Sequence, residues 1–168
     1  QWLELSPKNA ALSTWTIDKI LVYTRMAADL VGATKMDRPE WVAASKKTGE
    51  LYVTLTNNSQ RGTVGKAQVD KMNPQAVNSS GHIIRWKDVD SHVGLMFTWE
   101  IFVLSNSVFD EGGQMFGSPD GIWIDPDGRI FVQTDGEQPG KNNDQMLVAN
   151  PVTRQFKRLF TGVAGCEV

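Results

Sequence analysis

Two segments of this 168-residue chain share a pattern that predicts two similar β-hairpins. Residues 39–58 and 119–136 both begin with a proline and an acidic residue, and both contain two short β-branched or aromatic runs separated by a glycine. The glycines, Gly49 and Gly128, stand where a tight turn requires a positive φ. Asn57 of the first copy is aligned with Asp135 of the second. Counted from the acidic residue of each copy to these positions, the second copy is two residues shorter, and the difference is placed in its turn.

Each hairpin is followed by two further strand-like runs before the pattern returns, which gives a period of four strands. The eight predicted strands are residues 41–45, 51–56, 82–87, 97–104, 122–125, 130–134, 145–149 and 155–160. Residues 16–31 have apolar side chains at three- and four-residue steps and predict one amphipathic helix. The pattern therefore predicts a mainly β chain, with about two four-stranded antiparallel blades of a β-propeller (39–104 and 119–160) and one N-terminal helix.

A third copy of the pattern begins at residues 165–168, where Glu167 stands directly before what would be a new strand. A propeller closes only when its last blade meets its first, so we expect the chain to be a segment of a longer propeller. Its open sheet edges would favour self-association of the isolated segment. A complete two-sheet sandwich is the alternative. The long connections 59–80 and 105–118 are expected to carry function.

Composition argues against two classes of partner. The chain has 17 Lys and Arg against 19 Asp and Glu, a net charge of −2, and no basic run that could follow a nucleic-acid backbone. Apolar stretches such as 96–104 are too short to span a bilayer. Neither a nucleic acid nor a membrane is therefore expected as a partner. The single cysteine, Cys166, cannot form an internal disulfide.

Polar side chains are expected to gather at one rim of the hairpins. Antiparallel pairing places Glu40 near Asn57 and Asp120 near Asp135, and these residues would converge with Glu167 if the first strand of each blade lines the axis. Two carboxylates about 4 Å apart repel by roughly 4 kcal/mol at an effective dielectric constant of 20, so such a cluster implies a bound cation or raised pKa values. Oxygen ligands of this kind suit calcium.

The same residues have simpler interpretations. Asp120 and Asp135 each precede a glycine, so they are also typical of turns in which aspartate caps local amides. Arg38, two residues before Glu40, has the fork geometry to hold two oxygens of a phosphate, but a surface ion pair with Asp37 or Glu40 is the alternative.

Other polar and aromatic residues are expected to be structural. Asp125 and Asp127 flank the outer turn of the second hairpin. His82 and His92 lack the spacing of a metal pair or of a base next to a nucleophile, so histidine catalysis is not expected. Packing between blades is expected of four tryptophans: Trp41, Trp86, Trp99 and Trp123.

Six short motifs occur in order along the chain: MDRPEW at 36–41, GHIIRW at 81–86, SPDG at 118–121, QTDG at 133–136, NDQM at 143–146 and GCEV at 165–168. Together they resemble the PhoX-type alkaline phosphatases. Their order along the chain is more specific than any one of them alone.

The resemblance implies a phosphomonoesterase on a propeller that is exported by the Tat pathway to the periplasm or beyond and uses calcium and iron. It implies metal-assisted phosphoryl transfer, with small phosphoesters as substrates. The catalytic residues it implies are Arg38 and Glu40, with Arg38 binding substrate and with Glu40, Asp120, Asp135, Asn57 and Glu167 as metal ligands. The iron-binding cysteine of the family is expected upstream of this chain, so Cys166 is not assigned to iron, and the segment alone is expected to be inactive.

Two other functions remain open at this point. Propellers with a rim glutamate and a central cation also support calcium-dependent lactonases and related hydrolases. A propeller scaffold with a structural calcium is the non-enzymatic alternative.

Overall fold

The structure, a computed structural model, describes residues 1–106 and 115–168. Residues 107–114, which belong to the predicted long connection 105–118, lie outside the described residues. The described chain divides into two compact units. One consists of Gln1–Lys35 and Asp88–Phe97, and the other of Met36–Lys87 and Thr98–Val168.

Eight strands form two four-stranded sheets. The first sheet contains β1 (Pro39–Ala44), β2 (Leu51–Leu55), β3 (His82–Asp88) and β4 (Phe97–Leu104) in that order. The second contains β5 (Pro119–Ile124), β6 (Ile130–Thr134), β7 (Gln145–Ala149) and β8 (Phe156–Thr161), also in order. The prediction of a mainly β chain with two four-stranded antiparallel sheets is confirmed, and sheets of this kind make propeller blades.

The hairpin turns contain the expected glycines, at φ 70° for Gly49 and 87° for Gly128. Ala44 pairs with Leu51 in the first hairpin, whereas Ile124 pairs with Ile130 in the second. The second turn is therefore one residue shorter than the first, and the sequence-based count of two was wrong. A single extra residue is absorbed within the turn, so the strands on either side keep equivalent positions.

The predicted helix 16–31 is divided into α1 (Ile17–Val22) and α2 (Thr24–Leu30). The Thr16 side chain caps α1 by accepting a hydrogen bond from the Lys19 amide. The break falls at Tyr23, which has φ −109° and ψ 40°. The next residue, Thr24, directs its hydroxyl to the carbonyl oxygens of Ile20 (3.0 Å) and Leu21 (2.8 Å), a local contact that bends helices.

The unit that contains these helices has a small core of its own. Its buried residues are Leu12, Ile20 and Ala27, and Leu12 ends a 3₁₀ turn at Ala10–Leu12. A second 3₁₀ turn, Asp90–His92, lies in the connection between β3 and β4. A third, Pro139–Lys141, precedes β7.

Phenylalanine and tyrosine pack between the two sheets. Tyr52 meets Phe102 edge-to-face at 5.3 Å, and Phe102 and Phe116 lie 6.0 Å and 5.1 Å from Phe156. The expected role of tryptophan in packing between the sheets is not seen for Trp41 and Trp123, which are 59% and 55% exposed. Successive strand residues face opposite sides, so burial of Ile122 in the core turns its neighbour Trp123 away from the core.

None of the helices in the described part of the chain is long and apolar enough to cross a membrane.

Candidate active site

The first strand of each sheet, β1 or β5, carries a β-bulge at the position of its acidic residue. Pro39 pairs with Leu55 and Val42 with Val53, so one extra residue lies in β1 between these pairs, where Glu40 stands. The same shift occurs in β5, around Asp120. Bulges are frequent beside active sites because they change the direction in which a side chain points. The repeated acidic position of the sequence is therefore a repeated bulge in the structure.

Two buried threonines of the first hairpin connect the bulges of the two sheets. The Thr54 hydroxyl accepts a hydrogen bond from the Trp41 amide (3.0 Å), which the bulge removes from regular pairing, and donates to the Asp120 carbonyl oxygen (2.6 Å). The Thr56 hydroxyl donates to the Pro119 carbonyl oxygen (3.0 Å). These contacts fix β5, and with it Asp120, against β2. The threonines were not predicted as site residues.

The residues that precede β1 and β5 have a left-handed backbone. Arg38 and Ser118 have φ values of 50° and 49°, and each stands directly before a proline. Their carbonyl oxygens accept hydrogen bonds from Thr56 (3.1 Å) and Asp135 (3.0 Å), respectively. Thr56 is therefore the structural equivalent of Asp135, and the alignment of Asn57 with Asp135 was wrong by one residue.

Asn57 nevertheless lies at the rim, where it contacts arginine. Its Oδ1 accepts a hydrogen bond from Arg38 Nη1 at 3.1 Å, and Arg38 Nη2 lies 3.7 Å from Glu40 Oε1. The Arg38 side chain is 58% exposed, so most of the guanidinium faces solvent beside the acidic residues. Of the two surface partners considered for Arg38, the structure shows the ion pair with Glu40.

The carboxylates predicted to converge are near enough to act on one another. Burial raises the pKa of the Asp120 carboxyl above its usual range, and the charges of Glu40, Asp135 and Glu167 raise this pKa further. The positive charge of Arg38 opposes the increase. Four separate parts of the chain, at the start of β1, at the start of β5, after β6 and after β8, thus contribute to one acidic cluster with an arginine beside it.

The cluster borders a cavity of about 350 Å³, a volume within the range of small-molecule sites. Three of the carboxylates and two exposed tryptophans line it. Its lining is Trp41, Asp120, Gly121, Ile122, Trp123, Gln133, Asp135, Glu167 and Val168. Within the described residues, no group of three or more His, Cys, Asp or Glu side chains is placed so that it could hold a metal ion. The carboxylates therefore share an electrostatic environment without being gathered into one coordination sphere.

Asp37 is not a surface partner of Arg38. Its side chain is fully buried, and its Oδ1 accepts hydrogen bonds from Arg61 Nε (2.8 Å), Arg61 Nη2 (2.6 Å) and Asn58 Nδ2 (2.8 Å). Asn78 Nδ2 donates to its Oδ2 at 3.0 Å. Neither Asn58, Arg61 nor Asn78 was singled out in the sequence, because these residues lie in or beside a long connection without periodicity.

The remaining candidates have structural contacts. Asp125 accepts hydrogen bonds from the Arg129 amide (2.8 Å) and Nε (2.6 Å), and Asp127 lies 3.2 Å from Arg129 Nη2, at the outer turn. His82 is buried, with its ring nitrogens 3.1 Å from Asn78 Nδ2 and 2.8 Å from the Met72 carbonyl oxygen. His92 lies 3.4 Å from Asp88, in the other unit.

Comparison with known proteins identifies the family. The model of the family "Alkaline phosphatase PhoX" matches residues 1–168. A solved structure, Pseudomonas fluorescens PhoX in complex with vanadate, a transition state analogue, is 39% identical with a TM-score of 0.89. The match covers 99% of this chain and 33% of that one, so this chain spans about a third of its length. No curated protein matches. The chain belongs to the PhoX family of alkaline phosphatases.

Proposed function

We propose that the complete protein hydrolyses phosphomonoesters, and that the rim of the two sheets supplies part of its active site. The observation that supports this most directly is the gathering of four carboxylates beside Arg38 in a chain of the PhoX family. P. fluorescens PhoX binds vanadate as a transition state analogue, and vanadate is an oxyanion whose chemistry resembles that of phosphate.

The donor set at the rim fits calcium. Glu40, Asp120, Asp135 and Glu167 offer carboxylate oxygens, and Asn57 offers an amide oxygen that now contacts Arg38. Calcium takes six to eight oxygen ligands in flexible geometry, so a loosely gathered set such as this one can serve it together with ligands from elsewhere in the complete protein. The mutual repulsion that contributes to the raised pKa of Asp120 is what a cation would relieve.

The chain's own residues have distinct roles in this proposal. Arg38 binds phosphate oxygens in bidentate fashion, with Asn57 and Glu40 orienting its guanidinium. Glu40, at the bulge of β1, and Asp120, at the bulge of β5, would hold calcium. Bound calcium would neutralise negative charge that develops on the phosphoryl group.

Iron and export are proposed on the family resemblance alone. The cysteine that binds iron in the complete enzyme is expected outside this chain, so Cys166, a half-buried free thiol, is not assigned to it. Export to the periplasm or the cell exterior would give the enzyme access to phosphoesters outside the cytoplasm. Cell fractionation with a cytoplasmic marker tests this location.

Hydrolysis of a chromogenic aryl phosphate by the complete protein tests the proposed function. We expect turnover that vanadate inhibits, and no comparable turnover of a sugar lactone. Glu40→Gln keeps the shape of the side chain but removes its charge, so kcat should fall by about 10²–10³-fold, the usual effect of removing one charge-stabilising group.

The matched control is Asp127→Asn, which removes an exposed carboxylate at the opposite end of a hairpin and should keep the wild-type rate. Preference for the lactone would instead indicate a lactonase. Equal rates for wild type and Glu40→Gln would exclude Glu40 from the reaction.

A further inference from the structure

We propose that the buried ion pair of Asp37 and Arg61 is a positioning pair that fixes Arg38 and Asn57 at the rim and thereby sets how well the site holds a phosphate group. This inference rests on the function proposed above. Both members of the pair are buried, so each acts through its neighbours and not by touching substrate.

The pair joins three parts of the chain. Asp37 lies just before β1, Arg61 lies 24 residues further on in the long connection 59–80, and the two asparagines that also bind Asp37 stand at the start and end of that connection. The Asn58 amide donates to the Asn78 carbonyl oxygen at 2.6 Å, which closes the base of the connection. Both oxygens of the Asp37 carboxylate are therefore held from several directions.

The residues adjacent to this pair are the two that contact each other at the rim, Arg38 and Asn57. Arg38 directly follows Asp37, and Asn57 directly precedes Asn58, whose side chain donates to the Asp37 carboxylate. Each rim residue is therefore bonded to a member of the hydrogen-bonded network around the buried Asp37 carboxylate. The Thr56 amide donates to the Arg38 carbonyl oxygen at 3.1 Å, which links the same two segments through the backbone. Both residues of the Arg38–Asn57 contact are thus next to residues that hydrogen bonds of the buried Asp37 carboxylate hold in place.

Burial and the existing hydrogen bonds explain why Asp37 binds Arg61 and not its sequence neighbour Arg38. Asp37 is 0% exposed and Arg61 is 1% exposed, whereas the side chain of Arg38 is 58% exposed. A carboxylate next to Arg38 in sequence would be expected to capture its guanidinium, but Arg61, Asn58 and Asn78 already occupy that carboxylate. The Arg38 guanidinium remains directed to the rim, where Asn57 and Glu40 orient it.

A double-mutant cycle in the complete protein tests this role. Asp37→Asn should lower kcat/KM for an aryl phosphate by about tenfold or more, and Arg61→Lys, which keeps the charge but loses the fork, by a smaller factor. Because the pair acts through Arg38, Asp37→Asn should cost less than about twofold when Arg38 is already Lys. Arg61→Lys also provides a milder variant if Asp37→Asn does not fold.

The matched control is Asp125→Asn, which breaks a carboxylate–arginine pair of similar geometry at the outer turn, with 2.6 Å between Asp125 Oδ2 and Arg129 Nε. A merely structural Asp37 would behave like Asp125, with lower stability but wild-type kcat/KM at temperatures where the protein is folded. That result, or full additivity of Asp37→Asn with Arg38→Lys, would overturn the proposal.

A second readout does not depend on activity. Hydrogen–deuterium exchange of the peptide that contains Thr56 and Asn57 should be faster in Asp37→Asn than in Asp125→Asn, because the Thr56 amide is held by the Arg38 carbonyl oxygen. If the wild-type protein does not hydrolyse phosphomonoesters, the proposed function fails and this exchange still decides whether Asp37 positions the rim. Equal exchange in the two variants would contradict the positioning role.

Discussion

At the scale of single residues, the site depends on backbone conformations that most residues avoid. Arg38 and Ser118 are left-handed without being glycine, which costs on the order of 1–3 kcal/mol at each position. The hydrogen bonds from Thr56 and Asp135, and the prolines that follow, hold these conformations in place. Such strain persists where the surrounding structure requires it, and here it occurs at the residue whose side chain contacts Glu40 and Asn57.

Replacement of Arg38 by lysine separates its chemistry from its backbone role. Both residues bear the same cost at a positive φ, so the free energy of unfolding should change little. Lysine keeps the charge but cannot hold two phosphate oxygens with one planar group, so kcat/KM for a phosphomonoester should fall by about 10- to 100-fold. Steady-state kinetics and chemical denaturation of the complete protein measure the two effects.

The control is Arg129→Lys. It also replaces a planar guanidinium by an ammonium group, but at the outer turn and not at the rim, so kcat/KM should not change. Wild-type kcat/KM for Arg38→Lys would favour a simple surface ion pair with Glu40.

At the scale of elements, the connection 59–80 and strand β3 are joined through a buried histidine. The Asn78 side chain donates to Asp37, and its Nδ2 also lies 3.1 Å from His82 Nδ1 at the start of β3. Burial lowers the pKa of His82, an effect that the Met72 carbonyl and Asp37 only partly oppose. The neutral ring is therefore the form that fits the folded protein.

The stability of the protein should consequently fall on acidification through this histidine. Unfolded histidine binds a proton near pH 6.5, whereas folded His82 resists protonation until lower pH. The contribution is fully present above about pH 6.5 and is lost below it, by at most about 1.4 kcal/mol per pH unit for one group. Chemical denaturation at a series of pH values should show this slope in wild type.

His82→Gln should flatten the dependence between about pH 5 and 6.5, since glutamine does not titrate. His92→Gln is the matched control, because His92 is half-exposed and its Nδ1 lies 3.4 Å from Asp88 Oδ2. An unchanged slope in His82→Gln would mean that another group controls acid unfolding.

The hairpins and the acidic rim could be predicted from sequence because they depend on local signals. Gly49 and Gly128 mark the turns, and antiparallel pairing then brings the acidic residue before each first strand to a common edge. The bulges at Glu40 and Asp120 could not be predicted, since one extra residue leaves no mark in residue type. They depend on tertiary contacts, such as those of the Thr54 hydroxyl.

Two other features could not be predicted from the sequence, because they also depend on contacts that residue patterns do not show. The break at Tyr23 interrupts an apolar period that continues on both sides, so the periodicity predicts one helix while the Thr24 hydroxyl produces two. The Asp37–Arg61 pair joins residues across a connection that has no periodicity, and only burial identifies it as more than a surface ion pair.

At the scale of the whole molecule, the outermost strands leave apolar surface exposed. Trp41 and Val42 of β1 are 59% and 56% exposed, and Leu159 and Phe160 of β8 are 49% and 50% exposed. Neighbouring blades of a propeller would cover such surfaces. These exposed strands support the expectation that the segment self-associates when produced alone.

Calcium binding by the complete protein is the most direct test of the central claim that the rim carboxylates hold a cation. A ligand that binds only the folded state stabilises it by about 2.7 kcal/mol at a hundred times its Kd. Calcium should therefore raise the melting temperature, and chelation should lower it. Asp120→Asn should lose most of this shift, whereas Asp127→Asn, exposed and remote from the rim, should keep it.

The metal-free protein gives the opposite sign for the same variant. With no cation, Asp120→Asn removes a charge that Glu40, Asp135 and Glu167 repel, so its melting temperature in chelator should equal or exceed that of wild type. The decisive measurement is thus the melting temperature of wild type and Asp120→Asn with calcium and with chelator. The rim site predicts that wild type melts at the higher temperature with calcium. With chelator, the two proteins should melt at the same temperature or Asp120→Asn at the higher one. An equal rise in melting temperature with calcium in both proteins would contradict the rim site.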